Sequence, residues 1–247
     1  MGDKSTHLQI CNLLNNHELE KKDVLELGYL RQDDSYDLKD FFVDRKANLF
    51  RTNIDHSSDI DFAWDLHSAI PKKAPKLQFD YIVCSSVMEH VAKPWIAVKN
   101  VENVLKTGGF IIWATPWVWR IHGYPEDYWR FTPKGVEKLF SNVIWEWVGY
   151  EIILDKESSL LINTEGWEKD PVIELNSEII DKIKGVDVMT GKIGIKETKM
   201  SFASVNKVDS LNIKVDRDLF IYQNILSKQF STPLMPMSMF LMLGKKT

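Results

Sequence analysis

The stretch FDYIVCSSVMEHVAKPWIAVKNVENVLKTGGFIIWATPWVWRIHGYPEDYWRFTP, residues 79–133, restricts the fold of this chain more than any other. It opens with Phe79–Cys84, an apolar run short and β-branched enough for a buried strand. Val98, Val101, Val104 and Leu105 then recur at spacings of three and four, the pattern of a helix with one apolar face. Gly108 and Gly109 are predicted to stop that helix, where the chain must turn with positive φ. A second apolar run, Phe110–Ala114, follows at once. Strand, helix and strand joined this tightly form a βαβ unit, which implies a parallel sheet.

Composition narrows the class. Hydrophobic residues make up 44% and charged residues 27% of 247 positions, the balance of a globular chain with a substantial core. A formal charge of −4 gives no basis for broad capture of nucleic acid. No apolar run approaches the roughly 20 residues of a membrane helix. The first ten residues lack a secretory core. Cys11 and Cys84 both sit in apolar patterns and read as buried thiols, so a reducing, cytoplasmic setting is expected.

The remaining elements continue the alternation. Ser5–Glu20 predicts an amphipathic helix capped by Ser5, with Leu8, Leu13 and Leu14 facing inward. Asp23–Gly28 reads as the first strand and its turn. Leu49–Asp55 reads as the second strand, ending in a carboxylate; an acid at that place in nucleotide-binding α/β folds accepts hydrogen bonds from ribose hydroxyls. Phe79–Ser86 is the fourth strand, whose C-terminal end brings Ser85 toward a ligand. Thr132 is positioned to cap a helix over 134–140, and Val143–Leu154 predicts a sixth strand. Residues 155–233 are rich in Lys, Glu, Asn and Ser, with helices expected near 172–184 and 217–230. Met237–Leu243 predicts a closing strand.

Beyond the fifth strand, HGYPEDYWRFTP concentrates His, Glu, Asp, Tyr and Arg among aromatics and prolines. As a loop over the strand ends it sets donors and acceptors where a substrate would lie. His122 is the candidate general base, because imidazole titrates in the range that suits proton removal at neutral pH. Asp127 is expected to orient His122 or to bind substrate, and Arg130 to pair with a carboxylate or phosphate. An internal Asp127–Arg130 bridge holding the loop, with Tyr128 and Phe131 as its buried feet, is the alternative. Trp113, Trp117 and Trp119 suit core packing; as a stacking wall for a flat acceptor, Trp117 would be the contact. Glu89 and His90 read as capping and packing groups of a helix behind the fourth strand. No cluster shows metal-ligand spacing, so no metal is expected.

The order FDxIxxxxVMEHVxxPxxAxxxxxxVLKxGG, an apolar strand, then HxxPxDYWRFTP resembles the class I S-adenosylmethionine-dependent methyltransferases. It is most similar to the single-domain type found beside genes for surface polysaccharides, over residues 23–140. The resemblance implies a Rossmann-like, seven-stranded, mostly parallel sheet with helices on both faces and an antiparallel last strand between strands five and six. Residues 1–154 and 234–247 would form that core, and 155–233 a C-terminal, helix-containing insertion or lid.

S-adenosylmethionine is the implied cofactor, held by Glu26, Gly28, Asp55, Asp65, Leu66 and Ser85. His122 and Asp127 are the catalytic candidates, and Trp117, Tyr128 and Arg130 face a small-molecule or sugar acceptor. The sequence departs from the family where Gly-x-Gly-x-Gly should continue, since Tyr29, Leu30, Arg31 and Gln32 follow Gly28. That departure keeps open an inactive, scaffold-like relative as the alternative. A nicotinamide enzyme fits poorly, because no Gly-x-Gly-x-x-Gly is present.

Overall fold

The computed structural model describes residues 4–30, 37–119, 121–123, 126–153, 159–163, 172–176, 210–214 and 238–247. β1 (Asp23–Leu27), β2 (Asn48–Asn53), β3 (Phe62–Ala63), β4 (Phe79–Ser85) and β5 (Leu105–Val118) pair in parallel. β6 (Val143–Ile153) and β7 (Ser159–Asn163) follow, while β8 (Val172–Asn176) and β9 (Ser210–Lys214) form a separate antiparallel pair. β10 (Ser238–Lys246) inserts antiparallel between β5 and β6. The sheet order is β3-β2-β1-β4-β5-β10-β6-β7. Among the described residues this sheet has eight strands instead of the expected seven, because Ser159–Asn163 adds to the free edge of β6.

Strand alternation splits the core in two. Leu25, Ile82, Ile111, Phe240 and Met242 face one side and meet Val98 and Val101 of α3 (Pro94–Val104) and Val136 of α4 (Pro133–Leu139). Val24, Val83, Ile112 and Leu241 face the other and meet α1 (Lys4–Leu14) and α2 (Leu38–Asp44) through Ile10, Leu14 and Phe42. The period of two in β1, β4, β5 and β10 thus decides which helices lie on which face. None of the described helices is long and apolar enough to cross a membrane.

Several local expectations change. Ser5 lies inside α1, so it is not the residue before the helix, and α1 ends at Leu14 short of Glu20. α3 ends at Val104; Leu105 already has extended backbone and pairs with Phe79. Gly108, with φ +78°, therefore bends the start of β5 and does not cap the helix. Residues 172–176, expected at the start of a helix, are a strand, since a short apolar run satisfies either period until a partner is available. The helix expected at 217–230 lies outside the described residues. Thr132 caps α4 as expected, its hydroxyl accepting from the Gly135 amide at 3.0 Å.

Phe240, fully buried on β10, packs edge-on to Trp117 at 6.2 Å. Phe240→Ala is expected to cost about 3–5 kcal/mol in denaturant unfolding, because β10 bridges the two halves of the sheet.

Candidate functional site

β2 and β3 lie on one side of β1, and β4 and β5 on the other. The chain therefore leaves the ends of β1 and β4 in opposite directions, and no connection covers the gap between them. A cleft opens there, at the place where open α/β sheets bind their ligands. Gly28 and Leu30 line it from the β1 turn, Thr52 and Asn53 from β2, and Ser86, Val87 and His90 from the β4 turn. Trp64, Asp65, Leu66 and His67 close its outer side. Gly28 has φ +67°, and a Cβ there would sit 2.6 Å from Val87 Cγ2, so the turn demands glycine. Ser86 also has a positive φ, +52°, strain of the sort that gathers at ligand sites.

The structure sorts the cofactor candidates. Gly28, Asp65 and Leu66 line the cleft; Glu26, Asp55 and Ser85 do not. Asp55 is exposed two residues past the end of β2, and Asn53 holds the strand-end position instead. Ser85 is buried as the last residue of β4, and the following Ser86 reaches the cleft. Asp65 turns its carboxylate onto the His67 amide and ring, at 2.9 and 2.8 Å. The bond from that amide holds its carboxyl below the ordinary range.

Glu26 is buried beneath the cleft and accepts from Arg51 Nε at 3.0 Å. The same guanidinium donates to Asp37 and lies over the Tyr29 ring, 3.8 Å from its centroid. Tyr29 donates its amide to Thr52 O and accepts from Asn53 Nδ2. The turn that departs from the glycine pattern is thus laced to β2, and Leu30 becomes part of the cleft wall. Arg31 and Gln32 lie outside the described residues.

Beside the cleft, two segments distant in sequence meet. Met88–His90 form one 3-10 turn behind β4, and the α-helix starts only at Pro94, so Glu89 and His90 do not cap it. The 126–131 segment docks on this turn. Glu89 O accepts the Tyr128 amide at 2.8 Å, Val91 O accepts Trp129 Nε1 at 3.0 Å, and His90 Nδ1 donates to Glu126 O at 2.7 Å. Asp127 is the centre of the loop, with its side chain only 2% exposed. It receives Arg130 through two bonds of 2.5 and 2.7 Å, and the His122 amide and Nδ1 both lie 3.0 Å from its Oδ2. The Arg130 bonds push its carboxyl down to about 2. Arg130 therefore serves the loop, as the internal-bridge alternative required.

Tyr128 is half exposed and is not a buried foot, whereas Phe131 is buried. Trp117 packs partly buried against the core and Trp113 is fully buried. Among the described residues, the exposed tryptophans near the loop are instead Trp95 and Trp129, edge to face at 6.2 Å. His90 and His122 meet ring edge to ring face at 4.8 Å. Glu89 beside them is fully buried, and burial pushes its carboxyl up to about 7. Burial likewise raises the Cys84 thiol well above its ordinary range, which leaves it no role as a nucleophile.

Residues 29–111 match the sequence model of a family described as a methyltransferase domain. No curated protein matches the chain. Among solved structures, the MccD protein superposes with a TM-score of 0.50 at 8% identity, covering 97% of this chain and 96% of its own. A SAM-dependent methyltransferase from Archaeoglobus fulgidus gives 0.45 at 12% identity, covering 97% and 94%. The Burkholderia thailandensis 1,6-didemethyltoxoflavin-N1-methyltransferase, with 1,6-didemethyltoxoflavin and S-adenosylhomocysteine bound, gives 0.45 at 12%, covering 59% and 72%.

Over residues 29–111 the chain is thus similar to a methyltransferase domain, and its fold is that of the MccD protein.

Glu26 yields a pH test of the cleft floor. Burial raises its carboxyl from 4.5 to about 7, against the opposing pull of Arg51. The native state thus keeps this proton to higher pH than the unfolded chain does. Stability tied to the protonated form is complete below about 4.5 and is lost as pH rises through about 7. Thermal or denaturant unfolding of Glu26→Gln is expected to lack this fall, which amounts to about 3 kcal/mol at most in the wild type.

Proposed function

We propose that the protein transfers the methyl group of S-adenosylmethionine to a hydroxyl, or an amine, of a sugar or other small molecule, in the assembly of a glycan such as a surface polysaccharide. One observation carries this reading: His90 lines the cofactor cleft and also contacts His122 of the acceptor loop. Cofactor and acceptor then share a wall, as in-line transfer between them requires.

The sulfonium supplies the leaving group when the cofactor is bound. Gly28 lets the backbone approach its methionine end. Asn53 accepts from a ribose hydroxyl, while Asp65 and the backbone of Leu66 read the adenine edge. His122, held by Asp127 through Nδ1, takes the acceptor proton as the oxygen attacks the methyl carbon. Arg130 keeps Asp127 in place. The exposed faces of Tyr128, Trp129 and Trp95 beside this loop favour a ringed acceptor such as a sugar, which stacks its apolar face on aromatic rings. An inactive scaffold would have no use for an open cleft joined to an oriented histidine.

Calorimetric titration with S-adenosylmethionine and S-adenosylhomocysteine tests the cofactor half. Micromolar binding is expected, weakened about tenfold in Asn53→Ala and in Asp65→Ala. Asp55→Ala, outside the cleft, is expected to stay within about twofold of the wild type. Binding lost only in the Asp55 variant would overturn this assignment. Methylated product found by mass spectrometry with saccharides or nucleotide sugars tests the acceptor half, and methylation of none of them would remove the sugar reading.

A further inference from the structure

We propose that Glu89, His90 and His122 form a binding site for a divalent transition-metal cation on the acceptor side of the cofactor cleft. One ligand atom from each residue lies within 4.8 Å of the other two. Atoms held by a single ion at roughly 2.1 Å stand about 3–4 Å apart. Glu89 Oε1 and His90 Nε2 are already 3.8 Å apart.

Two observations on the donors point to a cation. Glu89 is fully buried, yet neither carboxylate oxygen accepts a hydrogen bond from any other described residue. Burying a carboxylate that receives no hydrogen bond is costly, and a bound cation offsets that cost. Arg130, the guanidinium of this loop, forks onto Asp127 and not onto Glu89. The second observation is the orientation of the histidines. His90 Nδ1 donates to the Glu126 carbonyl at 2.7 Å, and His122 Nδ1 faces Asp127 Oδ2 at 3.0 Å. Both bonds favour the tautomer with its proton on Nδ1 and its lone pair on Nε2. Metal-ligating histidines are held in this way, by a carbonyl or carboxylate on the other nitrogen.

Two imidazoles and one carboxylate suit manganese, iron, cobalt or zinc in the divalent state better than magnesium or calcium. Three protein ligands leave positions for an acceptor oxygen. Rested on the methyl-transfer reading, the ion has a defined task. The acceptor hydroxyl coordinates it and releases its proton to water. The oxygen then forms its bond to the methyl carbon as the carbon–sulfur bond breaks, with the electron pair left on sulfur. His122 is then a ligand, and activation of the hydroxyl passes from imidazole to ion. Ion binding itself does not depend on the methyl-transfer reading.

The test is titration of the untagged, chelator-treated full chain with Co2+, followed by visible d–d absorption and by metal content after dialysis. One Co2+ per chain is expected. His122→Ala and Glu89→Gln should weaken it by about tenfold or more, and Asp127→Asn by about 10–100-fold, with folding checked by circular dichroism. If the Glu89 variant fails to fold, His122→Ala on the loop still decides. Folded wild-type protein that binds no Co2+, or binding unchanged in His122→Ala, overturns the site. Calorimetry with S-adenosylhomocysteine on the same samples separates the two readings. S-adenosylhomocysteine binding with no Co2+ binding removes the ion site alone; Co2+ binding with no S-adenosylhomocysteine binding sustains the ion site and removes the methyl-transfer reading.

Discussion

Two neighbouring parallel strands whose chain leaves in opposite directions cannot be roofed by their own connections, and the site depends on that constraint. Here the strands are β1 and β4, and the cleft opens over their C-terminal ends. The turns at those ends take backbone angles that ordinary residues avoid, at Gly28 and at Ser86. The sheet is buried on both faces, so it absorbs this local cost and presents the turns rigidly.

The second level of organisation is the docking of one loop on one turn. Glu89 and Val91 present backbone carbonyls that receive Tyr128 and Trp129, while His90 reaches across to Glu126. These bonds join the end of β4 to a segment that follows β5. Asp127 stabilises the loop from within, since a carboxylate so little exposed requires the Arg130 fork and the two His122 contacts. His122 is thereby aimed toward His90 and Glu89, and the loop meets the cleft at a shared residue, His90.

Much of the frame was legible in the chain. The βαβ pattern at 79–114 and the first strand at 23–27 follow from period and from glycine placement, while the antiparallel return of residues 238–246 was implied by the family resemblance. The site was less legible. Asp55 carries the charge that a ribose ligand suggests, but the strand ends at Asn53, and a two-residue difference moves a side chain from cleft to solvent. Glu89 and His90 lie directly behind the central strand, a position that signals function. Their adjacency to an apolar pattern made packing the simpler reading. Nothing in linear spacing joins them to His122, because the contact is made by hydrogen bonds to backbone carbonyls, which any sequence possesses.

The sequence by itself determined the alternation of strands and helices, the two faces of the sheet and the glycine at the β1 turn, since these depend on local periods and on the φ angles each residue tolerates. Tertiary structure alone decided which polar groups share a site. Asn53 instead of Asp55, Arg130 committed to Asp127, and Glu89 buried beside two histidines all depend on where strands end and on what packs above them. Those outcomes come from non-local burial and from competition for hydrogen-bond partners, neither of which a one-dimensional pattern records.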